Sequence, residues 1–188
     1  TYQKYSQATY GLGGCAILDD FQSIKTIMNN ASSNSIEDYQ GVYNSLVSHG
    51  FDDKGSHFDA KGKGGEKWNE HDRKKFNERT KALVEQYKQY EALPGYKVNA
   101  ELNTSENIAD NLGLGVAHMA YRLSLKSQPA PVIDGFSGDQ RFYMGWAQVW
   151  RSKSNPEYLL NSLNLAPHAP GPVRGNGAVR NQQSFYEA

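Results

Sequence analysis

Cysteine is almost missing from this sequence: of 188 residues only Cys15 carries a thiol. A single cysteine excludes an internal disulfide framework. No histidine is placed beside it by the sequence, so Cys15 is expected to be a small buried apolar residue and not a nucleophile. Long hydrophobic runs are absent as well. No stretch of about eighteen apolar residues occurs, so nothing reads as a helix that crosses a bilayer. The start lacks the basic-then-apolar pattern of a signal peptide. It begins at Thr1 rather than Met, as a processed chain or a fragment would. An excess of one charge is also missing, because Lys+Arg and Asp+Glu each number 20 and the formal net charge is zero. That balance argues against nucleic acid or an anionic membrane as partner. The densest basic stretch, Lys61 to Lys67, is diluted by glycine and offset by Glu66, and reads as a solvated loop.

What is present describes a folded chain. Hydrophobic content is 38% and charged content 21%, enough for one domain with a real core. The periodicity is mostly helical. Ile17, Leu18, Phe21, Ile24, Ile27 and Met28 recur at helical spacing, and Ile36, Tyr39, Val42, Tyr43, Leu46 and Val47 do so again before His49 and Gly50. Residues 51–67 are turn-rich. Asn69 is placed to cap a long helix whose apolar face is Phe76, Leu83, Val84, Tyr87 and Tyr90, ended by Leu93-Pro94-Gly95. A further helix is expected from Thr104 to Lys126, with Ile108, Leu112, Val116, Met119 and Leu123 as its apolar stripe. Pro129 and Pro131 then force a linker, and Ser137 is placed to cap a helix through Phe142, Trp146 and Trp150. Asn155-Pro156 opens a short helix toward Leu165. Pro167 to Gly177 holds so much proline and glycine that an irregular loop is expected there, and no strand signal rises above background. The expected fold class is mainly α with long irregular loops.

Three places carry candidate chemistry. Glu106 and Asp110 are four apart, so both project from one helix face. Glu106 could bind a metal while Asp110 orients a neighbouring group, although acids near a helix start also suit its dipole as a solvated face. His49 lies at a helix end running into Asp52 and Asp53, where a histidine commonly serves the dipole. His168 and Arg174 fall in the Pro/Gly segment, where such a pair can hold a developing oxyanion. Each alone has a bland explanation.

Taken in order, His49-Gly-Phe-Asp-Asp53, Glu106-Asn-Ile-Ala-Asp110, Asp134-Gly-Phe-Ser-Gly-Asp-Gln-Arg-Phe142 and His168-Ala-Pro-Gly-Pro-Val-Arg174 closely resemble the C-terminal part of the neprilysin-like (M13) zinc metallopeptidases. Trp68, Ala92-Leu-Pro-Gly95, Gly145-Trp-Ala-Gln148 and Asn176-Gly-Ala-Val-Arg-Asn181 extend the resemblance to the last residues. It implies residues 45–188 as the C-terminal region of a zincin-type (thermolysin-like) catalytic domain, stopping short of the family's usual end. Residues 1–44 are expected to be a helical segment of unclear relationship within one domain overall. It also implies zinc as cofactor, a peptide or protein as ligand, and an extracytoplasmic location. By resemblance His49 and Glu106 are metal ligands, Asp110 supports them, and His168 and Arg174 bind substrate carbonyls and the transition state. The family's His-Glu-x-x-His helix supplies two zinc ligands and the base between them. Here that segment reads Ser45-Leu46-Val47-Ser48-His49. A serine hydroxyl is a poor substitute for imidazole on zinc, and leucine cannot take a proton from water. The resemblance therefore implies a catalytically defective relative. An active peptidase with a rearranged site, completed by His57 or His71, and a non-enzymatic interaction module are the alternatives.

Overall fold

The computed structural model describes residues 52–58, 63–66 and 68–188. Cys15, the two helical runs before Gly50, and Ser45, Leu46 and His49 lie outside the described residues. A 3-10 turn, Gly55–His57, is followed by α1 (Glu70–Tyr87), β1 (Glu91–Leu93), β2 (Tyr96–Lys97), α2 (Thr104–Ser124), α3 (Gly138–Val149), α4 (Pro156–Ser162), α5 (Gly171–Val179) and α6 (Gln183–Tyr186). Among the described residues none of these helices is long and apolar enough to cross a membrane.

The helix starts follow from local side-chain chemistry. Asn69 accepts a hydrogen bond from the Asp72 backbone N–H and Asn155 from that of Tyr158, each satisfying a first-turn donor. At α3 the Ser137 side chain takes the Gln140 N–H while Gln140 takes the Ser137 N–H, a reciprocal capping box. The end of α2 falls before Lys126 because Lys126 and Ser127 adopt positive φ, at 48° and 64°.

Three expectations are corrected. First, α1 stops at Tyr87, and Leu93-Pro94-Gly95 belongs instead to a hairpin pairing Glu91 with Lys97 and Leu93 with Tyr96. Pro94 fixes φ at the first turn position and Gly95 takes φ of +82° at the second, as a tight two-residue turn requires. Strands this short carry no periodicity to read.

Second, the Pro/Gly segment is not irregular throughout, because Gly171–Val179 is helical. Proline is tolerated in a first helical turn, where its missing N–H would be unpaired anyway. The glycines are there for close approach: a Cβ on Gly177 would come within 2.5 Å of the Tyr87 hydroxyl.

Third, the stripe chosen for α2 turns inward only at Ile108, which is buried, and at Val116, which is half-buried. Leu112, Met119 and Leu123 are 43%, 63% and 77% exposed, whereas Ala109, Leu114 and Ala117 are buried. The small residues let α2 lie close to α1 and α5.

Two apolar clusters result among the described residues. Leu114, Ala117, Phe142, Tyr143, Trp146, Ala178 and Val179 join α2, α3 and α5, with Tyr121 and Trp150 at their margin. Tyr87, Val98, Ala100, Ala169 and Val173 form the second beneath α1 and the hairpin. Between these clusters runs the buried face of α2, which carries the candidate site.

Candidate active site

Glu106 stands in the first turn of α2, where the helix dipole favours a carboxylate, and Asp110 follows one turn on. Their surroundings differ. The Glu106 side chain is 19% exposed and Asp110 is wholly buried. His168 lies on the segment between α4 and α5, which is tied to the start of α2 by the Asn103 side-chain amide donating to the Ala166 carbonyl at 3.1 Å. That tie brings His168 Nε2 within 3.0 Å of Glu106 Oε2. Arg174, on the first turns of α5, donates from Nε and Nη2 to the two oxygens of Asp110 at 2.6 and 2.7 Å. This is the fork-to-fork geometry in which arginine binds a carboxylate most strongly. Its Cζ also sits 3.9 Å from the centroid of the Trp150 ring.

Four residues singled out from sequence are thus brought together as two pairs, Glu106 with His168 and Asp110 with Arg174. The correction at α5 matters here, since Arg174 is held by a helix and not by a loop. Burial pushes the Asp110 carboxyl above the usual carboxylate range, while the hydrogen bonds and charge of Arg174 pull the other way. Tyr87, buried close by, has its phenol pushed upward by burial and then by the Asp110 charge.

The histidines proposed as substitute ligands both lie at the surface. His57 is exposed on the 3-10 turn and His71 is exposed at the start of α1. Sequence reading missed the anchoring of the turn that follows His49. Asp53 accepts from the Ser105 hydroxyl at 2.7 Å, and Arg73 donates to the Ser56 hydroxyl and carbonyl. It also missed Trp150 as a neighbour of Arg174; the only hint was glycine at 171 and 175, four apart on what proves to be one helix face.

A mainly helical unit that sets a Glu-x-x-x-Asp helix against a histidine and an arginine has the form of one part of a zincin peptidase. Comparison with known proteins makes the assignment. The family described as Peptidase family M13 matches residues 41–188, and the chain belongs to that family. It is 37% identical over 149 residues to Neprilysin-1 of Caenorhabditis elegans, covering 76% of this chain and 20% of that protein. It is 34% identical over 148 residues to neprilysin of Homo sapiens, covering 76% and 20%. Among solved structures, Mycobacterium tuberculosis zinc metalloprotease ZMP1 in complex with inhibitor aligns with a TM-score of 0.74 at 42% identity, over 81% of this chain and 25% of that one. PEPO from Lactobacillus rhamnosis HN001 aligns at 0.67 with 31% identity, over 83% and 24%. The chain therefore spans about a fifth of the length of the curated relatives it matches.

Zinc is the metal this family implies. The described residues do not by themselves fit a complete zinc set. Among them no group of three or more His, Cys, Asp or Glu could hold a metal ion, and one oxygen of Glu106 is taken by His168. The position of the first imidazole is Ser45, a neutral hydroxyl.

Proposed function

We propose that this chain is a non-catalytic M13 domain that retains a peptide-binding arrangement. The observation that carries the proposal is Ser45-Leu46-Val-Ser-His49 where the family has His-Glu-x-x-His. One protein ligand of three is replaced, and structural zinc sites are worth on the order of 10 kcal/mol, so a large share of affinity goes with it. Leu46 cannot serve as the general base, whose loss costs on the order of 100-fold or more in rate. His49 and Glu106 remain as an incomplete ligand pair. Arg174, held by Asp110, and His168, beside Glu106, remain as donors toward a peptide carbonyl. The ligand is a peptide or protein and not nucleic acid, and the location is extracytoplasmic, as in the family. Zinc content of the purified chain and turnover of a peptide library test the reading. Substoichiometric zinc with no chelator-sensitive cleavage is expected; stoichiometric zinc with such cleavage would sink it.

A second reading, an interaction module, is favoured by the exposed apolar stripe of Leu112, Met119 and Leu123 along α2. Light scattering and peptide titration separate the two. A strict monomer supports the first reading if it binds peptide, and removes both if it does not.

A further inference from the structure

We infer that Trp150 is a positioning residue for Arg174, fixing the plane of the guanidinium that Asp110 fixes in direction. The inference rests on the reading of Arg174 as a peptide-carbonyl donor, and it concerns what holds that donor still. The two hydrogen bonds to Asp110 constrain Arg174 within the guanidinium plane, at 2.6 and 2.7 Å. They leave the tilt of that plane soft, because a carboxylate accepts over a broad range of directions. The Trp150 ring supplies the missing constraint, with Arg174 Cζ at 3.9 Å from its centroid, well inside the range at which an indole face attracts a cation. Nη1 is then the guanidinium nitrogen outside the Asp110 pair.

Helix α5 is built to seat this ring. A Cβ on Gly171 would meet the Ser152 hydroxyl at 2.5 Å and the Trp150 backbone carbonyl at 2.6 Å, and one on Gly175 would meet Trp150 Cβ at 3.3 Å with the ring atoms Cγ and Cδ1 at 3.9 Å. Residues 171 and 175 share a helix face, so the two glycines form a bare strip against which Trp150 lies while Arg174 reaches over it. Trp146 packs edge-on against the ring at 5.4 Å and donates its own N–H to the Gly175 carbonyl at 3.0 Å. The Trp150 N–H, by contrast, is buried with no partner among the described residues. A buried unpaired donor is unfavourable and calls for an explanation. The indole is not held there for its hydrogen bond, and what it offers is its face.

The test is nuclear magnetic resonance of the Arg174 Nε–H in the full chain. In the native protein this proton should exchange slowly with water. Trp150→Phe keeps an aromatic face and should keep the slow exchange, whereas Trp150→Leu should speed it by about tenfold. A folded Leu variant with unchanged exchange overturns the inference, and so does a Phe variant that behaves like Leu. Should the Leu variant not fold, Gly175→Ala serves instead: its methyl presses on Trp150 Cβ, and it should broaden or shift the Arg174 resonance, an unchanged resonance counting against the inference. Peptide titration of the native chain is read separately. If peptide leaves the Arg174 resonance unmoved, the carbonyl-donor reading fails while the positioning by Trp150 stands.

Discussion

Gly177→Ala puts the packing of α5 to a quantitative test. Gly177 is buried in α5, directly over the Tyr87 ring. An added Cβ would stand 2.5, 2.6 and 2.9 Å from Tyr87 Oη, Cζ and Cε1. Tyr87 is wholly buried and caught among Val98, Ala100 and Val173, so its ring cannot swing away into solvent. Overpacking a rigid site of this kind costs about 1–3 kcal/mol, and three contacts this short place it in the upper half of that range. Against it stands the gain of replacing a helical glycine by alanine, about 1 kcal/mol. The net expectation is a loss of about 1–2 kcal/mol, or about 2–8 °C in Tm for a chain of this size. Gly115→Ala, within α2, is the control. Its Cβ would meet only the Gln182 side-chain oxygen at 3.1 Å, the far end of a flexible chain. That variant should match or exceed native stability by up to about 1 kcal/mol. Paired thermal melts decide the matter. Equal behaviour of the two alanines, or a stabilised Gly177 variant, would refute the view that α5 is helical glycine packed on tyrosine.

Two further outcomes follow from charge. Asp110→Asn leaves the Arg174 cation largely buried opposite a neutral amide and is expected to cost about 3–5 kcal/mol in denaturant unfolding; a loss below 1 kcal/mol would contradict the buried pair. Glu66, held by hydrogen bonds from Arg73 and the Trp68 backbone, has its carboxyl lowered to about 2 from 4.5. Its contribution to stability is complete above pH 4.5 and is lost as pH falls toward 2. Carbon-detected titration should place its midpoint near 2 and Glu66→Gln should flatten stability across that window, whereas a midpoint near 4.5 would show the pair to be idle.

The parts of the fold that depend on neighbours within a turn were legible in the sequence. Asn69, Ser137 and Asn155 cap the helices expected of them, because a cap is a contact between residues three apart. What depends on distant partners was not. The glycines of α5 look like loop formers until Tyr87 and Trp150 are set against them. The α2 stripe held at Ile108 but not at Leu112, Met119 and Leu123, because that helix is apolar on two sides and its period alone does not say which side is inward. Asp110 shows the same limit at the candidate site. By spacing it suited a solvated helix start as well as a supporting acid, and only the family resemblance favoured the second. Its burial is decided by Arg174, far along the chain, and no local pattern encodes that.

The Asp110–Arg174 pair is where fold and proposed function come apart. A buried ion pair is a poor device for stability, because desolvating two charges offsets most of their attraction, and an apolar pair of similar volume often serves as well. Stability alone would therefore favour Asp110→Leu with Arg174→Met over the native pair. A bidentate guanidinium is useful for something else: it holds a donor fork in a fixed place at little further entropic cost. The double apolar variant should then recover much of the stability lost on replacing Asp110 alone, yet lose affinity for peptide. If it kept both, the pair would be a remnant of the fold, and Arg174 would have no claim to a ligand.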